Sequence, residues 1–221
     1  MSTALARELK TLCLHHQPAL RLAVAESLTG GRVQAAITAV PGASGFFLGG
    51  ITAYSIDQKV KLLGVKRASA TPVNGVSATV ATQMAQGAVR LFGADIAVAT
   101  TGYAEPAKAQ GVAEAFAYWA IAHRVSPRRW QVVTGRVVCA GLNRTSVQSA
   151  VAETVLAEWV GYLKTLENSL PGTNTYGVGS KVVRCFSPHR RLQEECDPNL
   201  RAKAPHYLVA QFDNSNVTAY Y

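Results

Sequence analysis

Residues 20–40 read LRLAVAESLTGGRVQAAITAV. The first seven form a short apolar run of the kind a strand covered on both faces requires. SLTGG is a turn, and the stretch after it carries Val33, Ile37 and Val40 at helical spacing. A buried strand running straight into a helix is the opening half of a β–α–β unit, so this segment predicts an α/β fold.

The flanking sequence extends the pattern. GGITAYS (49–55) predicts a second strand. Ser55, with Gln58 three residues on, is a capping pattern that starts a short helix over IDQKVKLLG. GVSATVATQMAQGAVRLFG (75–93) predicts a helix capped by Ser77 and closed by Gly93, with Val80, Met84, Ala88 and Leu91 at helical spacing. ADIAVATTG (94–102) is another buried strand. AEAFAYWAIA and WQVVTGRVVCA, joined across the polar HRVSPRR, predict a hairpin. Residues 144–167 predict a long helix burying Val147, Val151, Val155 and Trp159 or Val160, and residues 1–17 an amphipathic helix. The expected architecture is a three-layer α/β/α sandwich with a mixed sheet over residues 1–167. Residues 168–221, rich in Asn, Ser, Gly and Pro and without period, read as an irregular or disordered tail.

With 221 residues, 48% hydrophobic and 16% charged, the chain has the composition of a globular protein, and no apolar run is long enough for a membrane span. Glu8 and Lys10 argue against a signal peptide, so a cytoplasmic location is expected. The net charge is +9, of which residues 1–167 carry +7. That excess suits an anionic partner, a nucleotide phosphate or a nucleic acid. Basic and aromatic residues do not interleave as in nucleic-acid modules, so nucleic acid is disfavoured and no membrane contact is expected. Cys13 and Cys139 fall in core segments and should be free buried thiols. Cys185, His189, Cys196 and His206 have no common zinc spacing, so no metal is expected.

Three polar loops stand at predicted strand ends: AESLTGG (25–31), PGAS (41–44) and TTGYAEP (100–106). In open α/β sheets ligands collect where strands meet helices. Ser27, Thr29, Gly30 and Gly31 at a helix start suit a phosphate, or they are ordinary capping residues. Ser44 requires a base to act as a nucleophile. Lys59, near the start of its helix, would hold its proton weakly if buried, and Tyr54 could carry or orient that proton. The plainer reading makes Ser44 a turn residue, Tyr54 a core aromatic and Lys59 a solvated lysine. None of the five histidines lies in the three loops.

AESLTGG, VPGASGFFLGGITAYSIDQKVKLLGV (40–65), GVSATVATQMAQGA (75–88) and TTGYAEP occur in the order and near-spacing of the CinA C-terminal domain family. The chain resembles this family, in its stand-alone form, over roughly residues 4–165. The family includes nicotinamide-nucleotide amidohydrolases. The resemblance implies deamidation of nicotinamide mononucleotide (NMN) to nicotinate mononucleotide and ammonia, with no cofactor, by a domain over residues 1–167. It implies Ser44 as nucleophile, Lys59 as its activator and Tyr54 as an assistant. Thr101, Gly102 and Arg144 then join Ser27, Thr29, Gly30 and Gly31 as substrate-binding residues. The implied partner is a small pyridine nucleotide, and a homodimer is one arrangement open to such a sheet. Two positions and one loop depart from the family pattern. Leu28 replaces a cysteine, Glu105 replaces a glycine, and AKAQGVAEA (107–115) shortens a loop. Glu105 should repel a phosphorylated ligand unless a lysine such as Lys108 pairs with it. The alternative is therefore a catalytically degenerate nucleotide-binding or regulatory protein.

Overall fold

The two faces of each central strand carry side chains of different size, and this difference sets the layers. In β1 (Leu22–Glu26), Leu22 and Val24 belong to one core cluster and Ala23 and Ala25 to the other; β3 (Ile96–Tyr103) repeats this with Ile96 and Val98 against Ala97 and Ala99. The bulky side packs on α1 (Ser2–His15), α2 (Arg32–Thr38) and α6 (Arg144–Glu167), through Leu9, Cys13, Ile37, Val151 and Trp159. The alanine side lets α5 (Ala78–Phe92) settle closely on the sheet through Val80, Met84 and Val89, with α3 (Ile56–Leu63) beside it. Helices on both faces of one sheet make the predicted three-layer sandwich. The computed structural model describes residues 2–167 in full, and beyond them the backbone of Ser180–Phe186, Leu208–Phe212 and Val217–Tyr220.

The sheet is mixed. β2 (Phe47–Thr52) and β3 lie on either side of β1, and both run parallel to it. β4 (Ala115–Ser126) and β5 (Arg129–Ala140) form the predicted hairpin, and β4 runs antiparallel to β3. Trp119 on β4 faces Gly135 on β5, where an added Cβ would lie 2.4 Å from the indole. The absence of a side chain at Gly135 is what admits the ring. The sheet continues past β5 into β6 (Ser180–Phe186), β7 (Leu208–Phe212) and β8 (Val217–Tyr220). Strand pairing therefore enters a stretch whose composition reads as irregular; the remainder of 168–221 lies outside the described residues, as do His189, Cys196 and His206. Among the described residues no group of His, Cys, Asp and Glu could hold a metal, and no helix is long and apolar enough to cross a membrane.

The caps follow the local sequence. Ser55 accepts a hydrogen bond from the Gln58 amide, Ser77 accepts one from Val80, and Gly64 and Gly93 end α3 and α5. Of the four α5 residues at helical spacing, Val80, Met84 and Ala88 are buried and Leu91, in the last turn, is exposed. Cys13 and Cys139 are both buried in the core, as expected, and burial pushes the Cys13 thiol up to about 12.

α3 and α5 meet at Gly87, where an added Cβ would sit 2.1 Å from the Leu63 carbonyl oxygen. In an open helix Gly→Ala gains about 1 kcal/mol. Here the steric conflict with backbone dominates, and Gly87→Ala is expected to destabilise the fold by about 2–3 kcal/mol in urea unfolding. Unchanged stability would refute the close approach.

Candidate active site

The chain leaves β1 for β2 on one side and returns to β3 on the other. Such a reversal opens a crevice at the carboxyl ends of the strands. A cleft of about 490 Å³ lies there. Ser27 enters it from the end of β1, Tyr54 from beyond β2, and Lys59 from α3; Thr101 and Gly102 come from β3, and Arg144 from the start of α6.

Lys59 is the central group. A helical side chain leans toward the N-terminus of its helix, which brings this one back over the first turn of α3. Its Nζ donates to the Tyr54 carbonyl at 2.8 Å and to Ser27 Oγ at 3.0 Å. The residue is only 3% exposed. Among the described residues no carboxylate forms an ion pair with it. Burial without a counter-charge disfavours the ammonium and pulls its pKa from 10.5 to about 8. The turn around Gly75 backs the stem: a Cβ there would lie 3.8 Å from Lys59 Cδ and Cε. Gly75 is itself tethered, since Thr101 Oγ1 donates to its carbonyl at 2.6 Å. Among the described residues no histidine lines the cleft. His123, the buried one, bonds Tyr162 through Nδ1, and its pKa is pushed down to about 4 by burial and then by His16.

The loop carrying Ser27 is organised by Glu26, whose part the sequence reading missed. Its fully buried carboxylate accepts from the amides of Gly31 at 2.9 Å, Val33 at 3.2 Å and Gln34 at 3.0 Å. Thr29 and Thr100 share a buried hydroxyl–hydroxyl bond of 2.7 Å, and the Gly30 amide donates to the Ser27 carbonyl. The N-terminus of α2 thus already holds an internal anion, and Thr29, Gly30 and Gly31 shape the loop rather than line the cleft. Glu26→Ala would leave several buried amides without an acceptor. It is expected to cost about 3 kcal/mol or more in unfolding free energy, and wild-type stability would refute the capping role.

The structure does not make the Ser44–Lys59 pair expected from the sequence. Ser44 is exposed in a short 3₁₀ turn (Ala43–Gly45) before β2, whereas Tyr54 and Lys59 follow it. A six-residue strand at about 3.3 Å per residue separates them by about 20 Å. The turn lies under α1, where Lys10 Nζ donates to the Pro41 carbonyl and Leu14 approaches Gly45. The hydroxyl within reach of Lys59 is that of Ser27.

At the mouth of the cleft, Arg144 Nη1 donates to Glu105 Oε1 at 2.7 Å and Nη2 to the Tyr54 hydroxyl at 2.8 Å. Tyr54 therefore serves Lys59 through its carbonyl, while its phenol holds Arg144. Glu105 is neutralised by Arg144 and not by Lys108, which lies outside the cleft. Gly102 is fixed by packing, since a Cβ there would come within 2.3 Å of the Phe116 carbonyl oxygen.

A family model described as the CinA C-terminal domain matches residues 3–163. Among curated relatives, a CinA-like protein of Chlorobium limicola is 50% identical over 92 residues, covering 42% of this chain and 21% of that protein. A CinA-like protein of Geobacter sulfurreducens is 42% identical over 106 residues, covering 48% and 24%. The aligned stretch is thus about a fifth to a quarter of the length of these relatives. Among solved structures, competence damage-inducible protein A of Klebsiella pneumoniae superposes with a TM-score of 0.66 at 28% identity, covering 74% of this chain and 97% of that one. The Agrobacterium tumefaciens competence/damage inducible protein gives 0.61 at 29%, covering 74% and 95%.

Proposed function

The chain belongs to the CinA C-terminal domain family, and from that premise we propose that it is an amidohydrolase in which Ser27, not Ser44, is the nucleophile and Lys59 its base. The observation that carries this reading is the 3.0 Å contact between the Lys59 amine and the Ser27 hydroxyl in a site that favours the neutral amine. Once neutral, Lys59 keeps one N–H on the Tyr54 carbonyl and turns its lone pair to Ser27, so the hydroxyl becomes the donor. Ser27 Oγ attacks the carboxamide carbon as its proton passes to Lys59. The ammonium so formed stands beside the developing oxyanion and then protonates the amide nitrogen as the C–N bond breaks, so that it leaves as ammonia. Water, deprotonated by the same amine, attacks the acyl-serine, releases the acid and restores Ser27.

The substrate that the family resemblance implies is NMN, and the product nicotinate mononucleotide. The test is release of ammonia and the acid from NMN by the purified chain, followed by mass spectrometry; no product at any pH between 6 and 10 rejects the hydrolase. A second reading, a binding or regulatory protein without turnover, draws on the Glu105–Arg144 pair at the cleft mouth. Thermal stabilisation by NMN without ammonia would favour it.

A further inference from the structure

The charges that line the cleft are two cations, Lys59 and Arg144, and two anions, Asp57 and Glu105. Both cations are engaged by the protein itself. Lys59 is directed at Ser27 and the Tyr54 carbonyl, and the two terminal nitrogens of Arg144 are held by Glu105 and the Tyr54 phenol. The amides at the start of α2, the other anion seat suggested by the sequence, carry the Glu26 carboxylate. A phosphate entering this cleft finds its fork-shaped partner already occupied by a carboxylate.

We propose that Glu105 is a specificity-determining residue that disfavours the phosphorylated form of the amide substrate, so that the cleft prefers a carboxamide nucleoside with a free hydroxyl over its phosphomonoester. The inference rests on the amidohydrolase reading for the identity of the amide, but not on turnover. Glu105 and Arg144 are both more than 40% exposed at the side chain, and such a pair is worth at most about 1 kcal/mol. The bridge by itself would not stop a phosphate. Discrimination comes from what a phosphate leaves behind, a displaced carboxylate next to a dianion. Glu105 cannot retreat far with its backbone. It precedes Pro106, and the following loop is closed by reciprocal hydrogen bonds between Ala107 and Val112 at 3.0 and 3.1 Å.

Calorimetric titration with NMN and with its dephosphorylated nucleoside, nicotinamide riboside, tests this on wild type, Glu105→Gln and Glu105→Gly. The wild type should bind the riboside on the order of tenfold more tightly than NMN. Glu105→Gln should tighten NMN by about tenfold and leave the riboside within about twofold, and Glu105→Gly should do the same. Equal changes for both ligands, a wild-type preference for NMN, or no binding of either to any of the three proteins overturns the inference. Ammonia assays run alongside separate it from the catalytic reading. Selective binding without ammonia sinks the hydrolase and leaves Glu105 its role. Turnover of both amides with a ratio that ignores Glu105 does the reverse.

Discussion

Ser27→Ala is expected to reduce kcat for ammonia release by at least about a thousandfold, the scale seen when a serine nucleophile is removed. Ser44→Ala should leave it within about twofold, as an exposed position distant from the chemistry allows. The contrast follows from which end of β2 each serine occupies. Ser27 lies in the cleft, 3.0 Å from the buried amine. Ser44 lies in the turn under α1. Ser27→Ala should fold normally, because Lys59 keeps its bond to the Tyr54 carbonyl. Substrate affinity should therefore survive while turnover is lost, and steady-state kinetics of the two variants side by side decides. Activity lost in Ser44→Ala and kept in Ser27→Ala would reverse the assignment.

The second large effect belongs to Lys59. General-base action needs the neutral amine, and burial brings its pKa to about 8. Activity should therefore rise about tenfold per pH unit below that value and level off above it. Lys59→Met should fall to the level of Ser27→Ala at every pH. Lys59→Arg, which stays charged throughout, should fall as far, which excludes a purely electrostatic role. The same shift has a consequence for stability. The folded chain releases this proton at about 8 and the unfolded chain near 10.5. Between those values the unfolded state binds more protons, so wild type gains stability with rising pH relative to Lys59→Met. Urea midpoints measured at pH 7 and pH 10 check the sign; a wild-type stability that falls relative to Lys59→Met between pH 7 and pH 10 would contradict it.

The layers of the fold were legible because alternation in β1 and β3 and helical spacing in α2, α5 and α6 are local properties. The caps at Ser55 and Ser77 were equally so. The site was half legible. Lys59, Tyr54 and Arg144 stand in the cleft, and Lys59 is as buried as its proposed chemistry requires. The partner of Lys59 was misread because the Gly-rich stretch around Ser44 lies nearer to it along the chain than Ser27 does. A parallel order for β1, β2 and β3 carries the missing information. Residues just after β1 and just after β2 share one end of the sheet, while PGAS, just before β2, stands at the other. Glu26 escaped notice because a carboxylate that folds back onto the helix after its own strand leaves no periodic signal. The Glu105–Arg144 pair joins residues 39 positions apart, a contact that only the tertiary fold creates. The strands within 168–221 are paired through backbone groups along the edge beyond β5, which composition does not report.

The most direct measurement is rapid-quench peptide mapping of the wild-type protein mixed with its amide substrate. Trypsin separates the two serines, placing Ser27 in the peptide of residues 22–32 and Ser44 in that of residues 33–59. A transient acyl group on the peptide 22–32 that vanishes in Ser27→Ala is the predicted result. An acyl group on the peptide 33–59 that vanishes in Ser44→Ala would contradict the account.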